Sequence, residues 1–143
     1  MRRDTAVAMS EENVEIVRRV NAAMNAHDVE GWLAYFDPAF EFVDHMGAVG
    51  EESGSGIENI RRQAEGWLEA FPDFRVDTEE FIDAGDRVVT VTHWHGSGAG
   101  SGLPYSQRAA EITTLRNGKI VHLAMGFADK AAALEAAGLD PSG

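Results

Sequence analysis

Apolar residues recur at every third or fourth position through the first half of the chain, which is the spacing of one helix face. This spacing predicts a first helix over residues 11–26, capped at Ser10 and acidic in its first turn, where the helix dipole favours carboxylates. A second, short helix carries residues 32–36 and ends before Pro38, because proline disfavours helical geometry in the residue before it. A third helix covers residues 57–71.

Strict alternation of apolar and polar residues predicts strands in the rest of the chain. It first appears over residues 40–44, where Phe40, Phe42 and Asp44 share one face of a short strand. The glycine-rich stretch 46–56 is predicted to be a loop, and a last helix runs from a cap at Asp129. The four further predicted strands cover residues 74–82, 87–95, 105–116 and 119–127.

This order of elements predicts one α+β domain. Three N-terminal helices would pack on one face of a curved antiparallel sheet, followed by a short C-terminal helix. A curved sheet covered by helices leaves a pocket between the two layers. The domain is expected to span residues 10–139, with a flexible tail at residues 1–9 and another at residues 140–143.

The Asn117-Gly118 pair sets a register for the last hairpin, because this dipeptide favours a two-residue turn. Such a turn places Ile112 opposite Leu123 on an apolar face that we expect to be the core side. Met125 belongs to the same face. Glu111 and His122 would then lie outside, or in a subunit contact. An extra bulge residue would shift this register and exchange the faces of one strand.

The strand at residues 88–95 does not reveal which of its faces is buried. One face carries Thr92 and Trp94, and the other carries His93 and His95, so both are mixed. Two imidazoles on one face are too few to predict a metal site without a third ligand, and none is expected. The glycine-serine stretch at residues 96–102 lacks the following helix and lysine of a phosphate-binding loop, so it is predicted to be a flexible link.

The composition of the chain limits the classes of molecule that we expect as partners. The chain has 143 residues and a formal net charge of −12, so its surface repels nucleic acid phosphates and anionic membranes. It contains no cysteine, which excludes disulfides and thiolate metal sites and fits a reducing compartment such as the cytoplasm. We therefore expect a cytoplasmic protein with no cofactor and no nucleic acid or membrane partner.

Several local strings resemble the SnoaL-like domain family of the nuclear transport factor 2-like superfamily. They lie at residues 11–19, 81–89, 115–121 and 133–139, and the resemblance covers about residues 9–139. It implies the cone-shaped fold of that superfamily and a homodimer that pairs through the open face of the sheet. Members include ketosteroid isomerases, polyketide cyclases, epoxide hydrolases and binding proteins, so the fold does not fix the reaction.

The resemblance to ketosteroid isomerases implies a role for Asp44. Residues 39–47 match the strand that ends in the general base of those enzymes and is soon followed by a glycine. The tyrosine that polarises the carbonyl in them corresponds to Val20 here, and their protonated aspartic acid falls near Ile112. Steroid isomerisation in its usual form is therefore not expected. Around Asp44, the predicted pocket walls are Phe42, Trp67, Ile112, Leu123 and Met125.

Three functions stay open from the sequence. The first is an enzyme without a cofactor, of isomerase or cyclase type, that uses Asp44 for proton transfer on an apolar carbonyl-bearing or polycyclic molecule. The second is a non-catalytic binding protein that uses Asp44 as a polar anchor for a similar ligand. The third is a protein-interaction module that uses the exposed sheet face.

Overall fold

The computed structural model describes residues 2–45 and 52–141. These residues form four helices and six strands, and none of the four helices is long and apolar enough to cross a membrane. In chain order the elements are α1 (Arg2–Asn25), α2 (Val29–Leu33), β1 (Phe36–Asp44), β2 (Glu52–Ser55), α3 (Ile57–Ala70), β3 (Arg75–Ala84), β4 (Arg87–Ser97), β5 (Pro104–Arg116), β6 (Lys119–Phe127) and α4 (Lys130–Ala136).

The six strands form one sheet in the order β2-β1-β6-β5-β4-β3. Neighbouring strands are antiparallel except for β1 and β6, which run parallel and bring the first strand of the chain beside the last. The predicted α+β class is therefore confirmed, and the sheet is mixed rather than wholly antiparallel. The parallel pairing sets Asp44, the last residue of β1, beside Met125 of β6.

The main core lies between the sheet and the layer formed by α1, α2 and α3. Its buried residues include Ile16 and Val20 from α1, Trp32 from α2 and Ile60 from α3. Phe40 of β1 is 0 % exposed and packs between the rings of Phe36 and Phe42, with centroids 4.7 and 5.9 Å away. We call the sheet surface that faces this core the inner face.

A second core covers the opposite side of the sheet, which we call the outer face. Helix α4 lies there, begins at a cap in which the Asp129 carboxylate accepts from the Ala132 amide, and buries Ala133 and Leu134. These side chains pack with Val89, Ala110, Ile112 and Ala124 of the sheet. Both faces of the central strands are therefore apolar over part of their length.

The register predicted for the last hairpin is correct only next to the turn. Arg116 pairs with Lys119 and Leu115 with Ile120, but Thr114 then pairs with His122, so Val121 is an extra residue in β6. This bulge exchanges the faces of β5 relative to the prediction. Ile112 consequently lies on the outer face in the α4 core, whereas Leu123 and Met125 belong to the main core.

Some element bounds also differ from the prediction. Helix α1 includes residues 2–9, which the sequence analysis assigned to a tail. Helix α2 ends at Leu33, and Phe36 opens β1 because its ring is buried against Trp32 and Phe40. The predicted loop contains strand β2, which forms by pairing with β1, and residues 46–51 of that loop lie outside the described residues.

A double-mutant cycle tests the observed register. Ile112→Ala should lower the free energy of unfolding by about 2–5 kcal/mol, and it should couple with Leu134→Ala by at least about 0.5 kcal/mol because both side chains pack in one core. Ile112→Ala and Leu123→Ala should be additive, since they lie on opposite faces. Chemical denaturation measures all of these values, and coupling of Ile112 to Leu123 instead of Leu134 would contradict the register.

Candidate functional site

A cavity of about 860 Å³, including its opening to solvent, lies between the inner face of the sheet and the helices α1, α2 and α3. Most of its wall is apolar, with a few polar groups. The lining residues are Val17, Val20, Asn21, Met24, Trp32, Phe36, Asp44, Ile60, Gln63, Ala64, Trp67, Phe74, Val76, Thr90, Trp94, Glu111, Thr113, Ile120, Leu123 and Met125.

The structure brings together four of the six side chains that the sequence predicts for the site. Asp44, Trp67, Leu123 and Met125 all line the cavity. Phe42 is 2 % exposed and belongs to the neighbouring core without lining the cavity. The two that do not line the cavity are thus Phe42 and Ile112, the second because the β6 bulge turns it toward α4.

Glu111, like Ile112, lies on the opposite face of β5 from the one that the sequence analysis predicted. The bulge at Val121 turns its carboxyl group from the outer face into the cavity. A second irregularity, between Ala110 and Ile112, gives β6 another extra residue opposite Glu111. One signal for it was available in the sequence: Glu111 is the one charged residue between the apolar residues Ala110 and Ile112.

The Glu111 carboxyl group is held through one of its two oxygens. Trp94 Nε1 donates to Glu111 Oε1 at 3.1 Å, and the Thr92 hydroxyl lies 3.4 Å from the same oxygen. Oε2 makes no hydrogen bond within the described residues, and no buried side-chain oxygen among them lacks a partner. Oε2 is therefore accessible from the cavity, where it can contact a ligand.

Burial raises the pKa of Glu111 to about 7, because the charged form loses its hydration. The hydrogen bonds from Trp94 and Thr92 favour the charged form and oppose this rise, and the charge of Asp44 adds to it. Near neutral pH the Glu111 carboxyl group can therefore exist in either state. A protonated form would be able to donate a hydrogen bond through the oxygen that faces the cavity.

Asp44 and Glu111 approach the cavity from different strands. Strand β6 lies between β1 and β5, so their backbones are separated by about two strand spacings, roughly 10 Å. The side chains are near enough for the charge of Asp44 to contribute to the raised pKa of Glu111. The pKa of Tyr105 is raised mainly by burial, and the charge of Asp44 adds to that rise. Both carboxyl groups therefore line the same cavity, although their strands are not neighbours in the sheet.

A cluster of aromatic rings, which we call the aromatic wall, lies next to Glu111 and contributes Trp67, Phe74 and Trp94 to the cavity lining. Trp67 of α3 is its centre, with the rings of Phe71, Phe74, Trp94 and Tyr105 at centroid distances of 5.4, 5.4, 5.5 and 5.6 Å. Trp94 is held in addition by its hydrogen bonds to Thr92 and Glu111. The wall therefore fixes the indole that positions the Glu111 carboxyl group.

The open question about strand β4 is answered by the same geometry. Thr90 and Trp94 line the cavity, and His93 and His95 are on the opposite face. There His93 Nε2 lies 2.6 Å from the Ser106 hydroxyl, and His95 Nε2 lies 2.7 Å from Asp77 Oδ2. Across the described ranges, no group of three or more histidine and acidic side chains could hold a metal ion.

Solved structures share this fold. A protein of Jannaschia sp. CCS1 assigned as a SnoaL-like polyketide cyclase has a TM-score of 0.72 and 23% identity, covering 82% of this chain and 85% of its own. A Catenulispora acidiphila protein with a ketosteroid isomerase-like fold, crystallised with trimethylamine, has a TM-score of 0.70 and 22% identity, and the match covers 90% of this chain and 96% of its own. AclR of Streptomyces galilaeus, assigned as a hydroxylase, has a TM-score of 0.70 and 21% identity, and the match covers 91% of this chain and 82% of its own.

These likenesses show the fold alone, because proteins assigned to different activities share it. No curated protein sequence matches this one significantly. The family model of the SnoaL-like domain matches residues 17–123, which is more than half of the chain and includes the main cavity strands. The chain therefore belongs to the SnoaL-like domain family, within the nuclear transport factor 2-like fold.

Proposed function

We propose that the protein is an enzyme of isomerase or cyclase type that transfers protons on a small apolar molecule bearing a carbonyl group. The observation that carries this proposal is a largely apolar cavity reached by two carboxyl groups in different environments. Such a difference suits an acid and a base that act on one ligand at one pH. The proposal requires no cofactor, because proton transfer next to a carbonyl needs only a base and a hydrogen-bond donor.

Asp44 is the proposed base. Its carboxylate would take a proton from the carbon next to the carbonyl, and the electron pair of the broken C–H bond would move onto the carbonyl oxygen. Asp44 would return the proton to another carbon in an isomerisation, or after ring closure in a cyclisation. Its place at the end of β1, facing the cavity beside Met125, supports this role.

Glu111 is the proposed donor to the carbonyl oxygen. When protonated, its accessible Oε2 would donate a hydrogen bond to the oxygen on which negative charge develops. The neighbouring Oε1 meanwhile accepts from Trp94, which fixes the orientation of the group. This role supplies a donor that the resemblance to ketosteroid isomerases left missing when Ile112 was placed at that position.

The homodimer stays a prediction. Pairing through the outer face would bring in His122, which the sequence analysis placed outside or in a subunit contact, and His93 lies on the same side of the sheet. Glu111 would take no part in it, because its carboxyl group faces the cavity.

Isotope exchange tests the role of Asp44. The protein would be incubated in heavy water with a panel of cyclic ketones and anthrone-like polyketides, and deuterium uptake would be measured by mass spectrometry. Asp44→Asn should reduce catalysed exchange by a factor of at least about 100, because it removes the base. Glu41→Gln is the matched control, since Glu41 is an exposed acid on the same strand, and it should leave exchange unchanged.

Absence of exchange across the whole panel, combined with thermal stabilisation by some of the same compounds, would contradict the proposal that the protein is an enzyme. That result would establish the alternative of a binding protein with Asp44 as its polar anchor. Exchange that survives in Asp44→Asn would show that another group is the base.

The raised pKa of Glu111 predicts a pH-dependent effect of Glu111→Gln on stability. The folded state retains this proton up to about pH 7, whereas the unfolded chain releases it near its ordinary value of 4.5. The wild type should therefore lose roughly 3 kcal/mol of unfolding free energy through this group as the pH rises across that window. Glu111→Gln removes the loss, so its stability relative to the wild type should increase by that amount between pH 4 and pH 8.5.

Denaturant titrations of both proteins at several pH values measure this difference. Glu41→Gln should show no such trend. If the difference between Glu111→Gln and the wild type is the same at all pH values, Glu111 ionises in the folded state as it does in water, and the proposed donor role is wrong.

A further inference from the structure

We propose that the cavity selects ligands that carry a positive charge, namely apolar ring compounds bearing a protonated or quaternary amine. This inference rests on the proposed function only in taking the cavity as the ligand site. It names the charge of the ligand, which neither the family nor the proposed proton transfer specifies.

The first observation is the set of charged groups around the cavity. Among the described lining residues there are two acids, Asp44 and Glu111, and no lysine, arginine or histidine. An anionic ligand would lose its hydration on entry without meeting any opposite charge, which is strongly unfavourable in an apolar space. A cation would instead approach carboxyl groups, and the net charge of −12 would increase its local concentration.

The second observation is that the carboxyl groups lie at the aromatic end. Glu111 accepts from the indole of Trp94, and Asp44 influences Tyr105, which packs 5.6 Å from Trp67. The faces of aromatic rings attract cations, tryptophan most strongly, and this attraction increases where water is excluded. An ammonium group at this end would therefore meet both π faces and carboxylate oxygens.

The charge that a cation meets at this end depends on Glu111. Burial raises the pKa of this carboxyl group to about 7, so above that pH it ionises and the attraction for a cation should increase. Among the described lining residues Asp44 is the only other acidic or basic group, because those contributed by α1, α2, α3, β3, β4 and β6 are neutral. Burial and then the charge of Asp44 raise the pKa of Tyr105, which lies outside this lining.

A positive charge on the ligand would also assist the proposed reaction. Proton abstraction next to a carbonyl places negative charge on oxygen, and the lining residues that the structure describes include no cationic side chain to offset it. An ammonium group in the substrate would supply that offset.

Three probes of matched shape test the selectivity. They are benzyltrimethylammonium, its uncharged carbon analogue neopentylbenzene, and the anion benzylsulfonate. The chain has three tryptophans, and all of them line the cavity, so tryptophan fluorescence reports binding directly. At pH 7 the cation should bind at least about 10-fold more tightly than the neutral analogue, and the anion should bind more weakly than either. Equal or tighter binding of the neutral or anionic probe would overturn the inference.

Glu111→Gln separates the contribution of this carboxyl group. A quaternary ammonium group does not titrate, so any change of its affinity between pH 5.5 and 8.5 belongs to the protein. The affinity of the wild type and of the Glu41→Gln control should rise at least about 5-fold over this range, and that of Glu111→Gln should stay constant. An equal rise in Glu111→Gln would contradict the assignment of the charge to this site.

The outcomes also separate this inference from the proposed enzyme. Deuterium exchange on neutral ketones without any preference for the cation would overturn the inference and leave the enzyme standing. A preference for the cation without exchange, both on the neutral ketones and on ketones of the same kind that bear an amine, would support the inference and overturn the proposed enzyme. Failure of all three probes and all ketones to bind would overturn both.

Discussion

A single extra residue in β6 determines which chemistry the cavity contains. Side chains alternate between the two faces of a strand, so a shift of one position moves a whole set of them to the other side. Val121 provides that shift between β5 and β6. Glu111 and Thr113 face the cavity as a result, and Ile112 faces α4. With the regular register, the cavity would receive an isoleucine in place of an acid.

The carboxyl group that the bulge turns inward is costly to bury, and the surrounding structure is arranged to keep it there. Trp94 donates to one oxygen and is itself packed against Trp67 and Phe74. Ionisation of this buried acid lowers the free energy of unfolding of the protein. Such a loss is expected at a functional site, where stability is reduced in favour of reactivity. The same acid, together with Asp44 and described lining residues that include no basic side chain, is the basis of the cation preference that we propose for the cavity.

Much of the fold could be predicted from the sequence, because helical and alternating patterns are strong local signals. The position of Asp44 followed from a short strand and its resemblance to the isomerases, and Trp67, Leu123 and Met125 also face the predicted pocket. The register could not be predicted, since the Asn117-Gly118 turn fixes only the pairs next to it. The distribution of apolar residues did not resolve the register either. Helix α4 buries part of the outer face, so Ile112 lies in an apolar core there just as Leu123 does on the inner face.

The protonation state of Glu111 tests the account most directly. Carboxyl carbons would be observed by NMR in protein labelled with carbon-13 glutamate, and the signal missing from Glu111→Gln would identify this residue. Its titration midpoint should lie at about 7, because the group is buried and the charge of Asp44 adds to the effect of burial. A midpoint near 4.5, the ordinary value for a glutamate, would show a hydrated carboxylate and would contradict the arrangement of the site.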